Sequence, residues 1–372
     1  MKVLHVYKTY YPDSVGGIEQ VLAQLARGLA GLGVENRIFT LSPTAQPAVI
    51  QRPESEVHRS RVTLEIASNP MSLSAIGEFR RQLAWADIVH YQFPWPFGDL
   101  LHVLWGSRKP SVVSYQSDVV RQKRLMRAYA PLMNRFLASV DQVVATSPGY
   151  VRTSSVLQSL QRPARVIPNG IDEASYPHAD PARVRRWRDE LGDDFFLFVG
   201  VLRYYKGLHT LIEAARGFDG RIVIAGDGEE STTLQRALEQ EGCGRVRLLG
   251  HVSDEDKMAL LHLSKGFVFP SHLRSEAFGM SLVEAAMAGK PMISCEIGTG
   301  TSYINLDGVT GWTVPPDDAP RLREAMQRVQ ADAAQAASMG QRARQRYEDL
   351  FSARHMADAY LEVYREVLAA KR

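Results

Sequence analysis

Cysteine is nearly absent from this chain: two residues, Cys243 and Cys295, among 372. They form neither a Cys-x-x-Cys pair nor a metal-ligand cluster, which excludes a disulfide scaffold and points to a reducing compartment, with both thiols read as structural. Long hydrophobic runs are missing as well. No stretch of about 18 apolar residues occurs, so no membrane-spanning helix is expected, and the opening Val3-Leu4-His5-Val6-Tyr7 is too short for a secretory core. Nor is there an excess of one charge: 44 Lys and Arg against 41 Asp and Glu leave +3, too little to imply nucleic acid. No repeat of roughly 20–50 residues is found. No compact Gly-x-Gly-x-x-Gly with an acid about 20 residues on follows the first strand, which argues against a nicotinamide-dependent oxidoreductase.

What is present is globular: 45% hydrophobic and 23% charged residues, on a chain long enough for two domains with separate cores. Short apolar runs at 1–7, 36–41, 86–92, 111–115 and 142–147 alternate with amphipathic segments, the pattern of a parallel sheet covered on both faces. The polar stretch up to about Ser60 is expected to be irregular, with a strand at 61–68. Ligands of such sheets sit beyond the strand C-termini, which brings His90, Gln92, Gln116 and Asp118 towards one crevice. Gly16-Gly17, between the first strand and a helix, is either a phosphate-approach loop or a plain turn. The segment 118–137 is basic and amphipathic, with Pro131 suggesting a break. It is either a surface helix packing its apolar stripe in the core or an interfacial helix drawn to anionic headgroups. Pro168-Asn169-Gly170 is turn chemistry. A second strand–loop–helix follows, carrying Arg203 and Lys206 ahead of a helix start, either a diphosphate clamp or plain surface charges on the loop.

The stretch from Arg274 to Pro291 organises the rest. Leu282, Val283, Ala286 and Met287 recur at helical spacing, and Gly289 and Pro291 stop the helix. Glu276 falls just before that helix and Glu284 about two turns inside it. Free amides near Gly279 to Leu282 favour a phosphate or diphosphate. The set suits a sugar nucleotide: diphosphate on the amides, one carboxylate on sugar hydroxyls, the other on ribose hydroxyls. Spacing alone equally describes two solvated glutamates on an ordinary helix.

The 276–291 string resembles the E-x7-E signature of the retaining glycosyltransferases of family 4. The Gly16-Gly17 loop, the Pro168-Asn169-Gly170-Ile171-Asp172 linker and the Lys206-Gly207 turn resemble the same family in the same order, so the resemblance covers nearly the whole chain. It implies an α/β chain of the GT-B fold, two Rossmann-like domains with parallel sheets facing across a cleft. Residues 1–174 would form the acceptor domain, with 352–372 packing back onto it, and 175–351 the nucleotide-sugar domain.

The implied reaction is retaining transfer of a sugar from a nucleoside-diphosphate sugar, with Glu276, Arg203, Lys206 and Gln116 as catalytic residues. Donor-binding residues would be Gly16, Gly17, Arg203, Lys206, His251, Val252, Asp254, Phe278, Gly279, Met280, Ser281, Leu282 and Glu284. Asp254 reads equally as a helix N-cap. Two positions depart from the family: Gln116 stands where many members have His and cannot carry a proton, and Val201 stands where Arg is usual, with Arg203 nearby. No metal site is assigned, and no cofactor beyond the donor substrate is expected. The closest-looking branch builds bacterial surface polysaccharide from mannose-type sugars. The expectation is therefore a GDP-sugar donor, GDP-mannose or GDP-rhamnose, and a lipid-linked or polysaccharide acceptor in lipopolysaccharide and O-antigen synthesis. A UDP-hexose enzyme or a non-catalytic sugar-nucleotide-binding subunit is the alternative. The chain is expected in the cytoplasm, in peripheral contact with the cytoplasmic membrane through Arg121–Arg135.

Overall fold

The structure, a computed structural model, describes residues 1–119, 123–241 and 244–371, the side chains at 123–125 and 240–241 excepted. Cys243 thus lies outside the described residues, while Cys295 is buried and burial pushes its thiol up to about 12, an inert core group. The chain divides into two units, one of residues 1–170 with 353–372, the other of residues 171–352.

The first unit holds β1 (Lys2–Val6), β2 (Glu35–Ser42), β3 (Val49–Arg52), β4 (Ser55–Arg61), a small hairpin of β5 (Leu64–Ile66) and β6 (Asn69–Met71), then β7 (Ile88–Phe93), β8 (Ser111–Tyr115), β9 (Gln142–Ala145) and β10 (Arg165–Val166). Its sheet runs β10-β9-β8-β7-β1-β2-β4-β3, parallel except for β3 on β4. β7 and β8 are buried at every position, as expected of strands covered on both faces. The expectation of an irregular region ending in a strand at 61–68 is corrected: β4 occupies 55–61 and pairs in parallel with β2. Its sequence, Ser-Glu-Val-His-Arg-Ser-Arg, carries one apolar residue, so hydrophobic periodicity cannot reveal it. Two of its polar side chains are buried with partners instead: Arg59 donates to both oxygens of Asp13 at 3.0 and 2.7 Å, and His58 bonds Glu78 at 3.0 Å.

Helix Ala353–Ala370 belongs to this unit and packs against helix Gly17–Gly31. A Cβ on Gly28 would lie 2.7 Å from that of Ala357, so glycine lets the helices approach. Helix Lys123–Ser139 runs through Pro131 without the expected break. It buries Met133, Phe136 and Leu137 and leaves Arg127 and Arg135 exposed. Its described part is therefore a solvated face over a core stripe; Arg121 and the side chains of Lys123 and Arg124 lie outside the described residues.

The second unit holds β11 (Phe195–Val199), β12 (Arg221–Ala225), β13 (Val246–Gly250), β14 (Gly266–Phe269), β15 (Met292–Cys295) and β16 (Gly311–Val314) in the order β13-β12-β11-β14-β15-β16, all parallel. Ile171 bridges Ser352, so the chain enters and leaves this unit at one place. No helix among the described residues is long and apolar enough to cross a membrane.

A buried acid in the first unit sets a pH dependence. Burial pushes Asp99 up to about 8, against the opposing hydrogen bond from Tyr129. The folded protein then keeps this proton between about pH 4 and 8 while the unfolded chain has released it. The stabilisation is full below about pH 4 and declines as pH rises towards 8, by up to about 1.4 kcal/mol per unit. Asp99→Asn should lose that slope: in urea titrations at pH 5 and pH 8, the variant gains on the wild type at the higher pH.

Candidate active site

Strand order in the second unit reverses between β11 and β14, so the connections that follow these two neighbours part and open a crevice beyond the strand ends. The loop after β11 carries Lys206; the loop after β14 carries Glu276. Gly207 sets how closely the loops approach. Its φ is 66°, and a Cβ there would sit 2.0 Å from the Pro270 carbonyl oxygen, so no other residue fits. The His272 amide donates to the Tyr205 carbonyl at 3.0 Å and stitches the loops together.

Lys206 Nζ donates to Glu276 Oε2 at 2.5 Å, and Ser271 Oγ donates to the same oxygen at 3.2 Å. Only 10% and 11% of the Lys206 and Glu276 side chains are exposed. Removing one partner of such a pair leaves an uncompensated buried charge, at a cost of about 3–5 kcal/mol. Among the described residues, Glu276 Oε1 takes no hydrogen bond, so it remains an acceptor for a hydroxyl.

Helix Met280–Met287 starts four residues later. Gly279 precedes it at φ 101° without a capping side chain, and the first internal bonds run from Leu282 and Val283 to the Gly279 carbonyl. The Met280 and Ser281 amides, on a helix end that carries partial positive charge, can therefore receive an anion. At the other end Arg344 donates to the Met287 carbonyl at 2.6 Å, a cation where the dipole is negative.

Glu284 is one turn into this helix, not two, and is buried. Its Oε1 accepts from Tyr176 Oη at 2.9 Å and from Lys257 Nζ at 3.0 Å. Burial opposes charge on Lys257, but Glu284 and Asp254 outweigh it and hold the ammonium above its usual pKa. Both glutamates are thus engaged interior groups, which rules out the solvated pair. Sequence reasoning missed Ser271, Tyr176 and Lys257, which orient them; the nearest signal was Lys257 one helical turn beyond Asp254.

The remaining candidates of this unit lie in different settings. Arg203 and His251 are exposed, Val252 is half-buried, and Phe278 is buried against Phe351. Asp254 is exposed and pairs with Lys257 at 2.9 Å. The N-cap is its neighbour Ser253, whose Oγ accepts from the Asp256 amide at 3.2 Å.

In the first unit the reversal falls between β1 and β7. Gly16 caps helix Gly17–Gly31, and a Cβ on it would meet Glu19 Oε2 at 2.6 Å. The buried Glu19 accepts from Thr9 at 2.7 Å and Ser14 at 2.8 Å, closing the loop around itself. Gln116 is buried and uses both ends of its amide: Nε2 donates to Gln92 Oε1 at 2.9 Å, and Oε1 accepts from Asn169 Nδ2 at 3.2 Å. Gln92 lies 3.4 Å from His90 Nε2, and His90 bonds Tyr364 Oη and Ser114 Oγ, each at 2.7 Å. Burial, with His5 adding to it, pushes the His90 pKa well below normal, so the imidazole is neutral. Asp118 accepts from Tyr115 at 2.8 Å and Ser154 at 2.7 Å.

Two family models match this chain: Glycosyltransferase Family 4 over residues 15–175, and Glycosyl transferases group 1 over residues 183–346. A D-rhamnosyltransferase of Pseudomonas aeruginosa is 52% identical over 95% of this chain and 93% of its own. An O-antigen chain mannosyltransferase of Escherichia coli is 47% identical over 100% of both. Among solved structures, sucrose-phosphate synthase from Thermosynechococcus elongatus superposes with a TM-score of 0.81 at 21% identity, covering 99% of each chain. An Anabaena protein solved with UDP and glucose gives 0.78 at 18% identity, over 98% of this chain and 100% of its own. These likenesses establish the GT-B fold, and with the identity to the two curated enzymes over almost their full length, the chain belongs to the family 4, group 1 glycosyltransferases.

Proposed function

We propose that the protein transfers a mannose-type sugar, mannose or the deoxysugar D-rhamnose, from its GDP-activated form to a lipid-linked glycan in O-antigen synthesis, with retention at the anomeric carbon. The buried Lys206–Glu276 pair beside the open amide end of helix Met280–Met287 carries the reading. The names of the two relatives, a D-rhamnosyltransferase and an O-antigen mannosyltransferase, favour the sugar and the pathway.

In this reading the Met280 and Ser281 amides, Lys206 and Arg203 neutralise the diphosphate, so the leaving group departs without a metal ion. Glu276 Oε1 accepts from hydroxyls of the donor sugar, and the hydrogen bond from Lys206 to Oε2 keeps that carboxylate aimed. Glu284 holds the ribose diol, with Tyr176 and Lys257 fixing its orientation. His251, Val252 and Asp254 face the base, while Phe278, Gly279 and Leu282 shape the floor. With no side chain assigned as nucleophile, the leaving phosphate oxygen takes the acceptor proton on the same face from which the bond breaks, which preserves configuration. In the same reading Gly16 and Gly17 lie against the donor diphosphate and the acceptor. Gln116, whose amide is already held by Gln92 and Asn169, offers its second amide hydrogen or the second lone pair of Oε1 to a sugar hydroxyl and moves no proton.

Glu276→Ala should reduce turnover by about two orders of magnitude or more, as for loss of a preorganised polar contact. The measurement is initial rate with GDP-mannose, alongside far-UV circular dichroism. A folded variant with unchanged turnover removes Glu276 from the site.

Donor choice is read from thermal melting with nucleoside diphosphates, because a ligand of the native state raises apparent stability by mass action. GDP should raise the midpoint more than UDP at equal concentration. The reverse order assigns the protein to UDP-hexose donors.

Peripheral membrane contact through Arg121–Arg135 completes the proposal, supported by Arg127 and Arg135 on the exposed face. Sedimentation with phosphatidylserine vesicles should fall as salt rises and when Arg127 and Arg135 become Ser. Salt-independent or absent sedimentation leaves these arginines as plain surface charges.

A further inference from the structure

His209, His272 and Asp317 come from three separate parts of the second unit, yet their ligand atoms all lie within 4.8 Å of one another. Asp317 Oδ1 is the common point, 2.7 Å from His272 Nδ1 and 3.2 Å from His209 Nε2. The decisive feature is on the far side of the His272 ring, where Nε2 lies 3.0 Å from the Tyr204 carbonyl oxygen. A carbonyl only accepts, so Nε2 must bear the hydrogen, and in the neutral ring Nδ1 is then a bare lone pair. That lone pair faces a carboxylate oxygen at 2.7 Å, out of line for a hydrogen bond; Nδ1 is a buried atom with no hydrogen-bond partner among the described residues. Two lone pairs do not approach this closely unless a positive centre lies between or beside them.

We propose that His272 Nδ1, His209 Nε2 and Asp317 form a site for a divalent transition cation of the zinc type. Two imidazoles and a carboxylate are a common donor set for zinc, with solvent completing the shell. An imidazole that donates its other N–H to a backbone carbonyl is the usual arrangement behind a metal-bound nitrogen. Ligand atoms around tetrahedral zinc lie roughly 3.3 Å apart, so Asp317 needs only a small retreat. The retreat stretches only the 3.4 Å hydrogen bond from Thr210 Oγ1 to the same oxygen, and 55% of the Asp317 side chain is exposed, as is 60% of that of His209. Asp317 also holds a left-handed backbone, φ 57°, which is unfavourable for a residue with a side chain and aims the carboxylate at the two rings.

The cation is structural. His272 follows Ser271, which bonds Glu276, and its amide and ring both bond the turn that carries Lys206. A metal here braces both loops from behind, and no step of sugar transfer passes through it.

The test is direct titration of the chelator-treated full-length protein with Zn²⁺ alone and with Co²⁺, whose visible spectrum reports tetrahedral nitrogen and oxygen ligation. About one ion per chain is expected, together with a raised melting midpoint. His272→Gln and Asp317→Asn should each weaken uptake by about tenfold or more. His209→Gln, which alters only an exposed side chain, should weaken it without changing the fold and so guards against a variant that fails to fold. A wild type that takes up no ion, or three variants that all take up the ion as well as the wild type does, overturns the site and leaves an imidazolium–carboxylate contact. Because the readouts are uptake, spectrum and melting, failure here leaves the proposed sugar transfer standing, and failure of that reading leaves the metal site standing.

Discussion

A buried charge pair must be assembled completely or not at all, and the Lys206–Glu276 contact imposes that constraint on the whole second unit. Neither ion is tolerable alone at this depth. The pair therefore requires its two loops to meet, which requires β11 and β14 to be neighbours, a glycine at 207 where they touch, and His272 to tie one loop to the other. The result is a carboxylate held rigidly with one oxygen committed and one left over. A loop glutamate without this pairing would turn towards water and lose its aim.

The same logic operates at Glu284, where a phenol and an ammonium converge on one oxygen. Between the two acids lies a helix end whose glycine cap contributes geometry but no side-chain acceptor. Negative groups on loop and helix flank, with an uncompensated positive end between them, make a surface that is locally polarised although the chain as a whole is nearly neutral. Such fixed dipoles act without reorganisation.

The first unit uses polar burial differently. From Tyr364 on the last helix, hydrogen bonds run through His90 and Gln92 to Gln116 and Asn169. Each member is neutral, so the chain costs less to bury than an ion pair but specifies positions just as sharply. Gln116 suits this network because it both donates and accepts, and an amide does so without a charge to desolvate.

The sequence by itself determined the parallel α/β architecture, since a continuous apolar strand such as Phe195–Val199 can only be buried on both faces, and it determined the short helix after Glu276, through its apolar spacing and its glycine and proline stop. It misplaced the strand at 55–61 because that strand buries paired polar groups, which leave no hydrophobic period, and it expected a break at Pro131 that the helix does not make. Only the tertiary structure decided which groups meet. The partners of Glu276, Glu284 and Gln116 lie 70, 108 and 53 residues away in the chain for Lys206, Tyr176 and Asn169, and His209, His272 and Asp317 share no motif spacing. Periodicity is a local property of the chain, whereas a buried charge finds its counter-charge through strand order, and strand order is set by packing across the sheet.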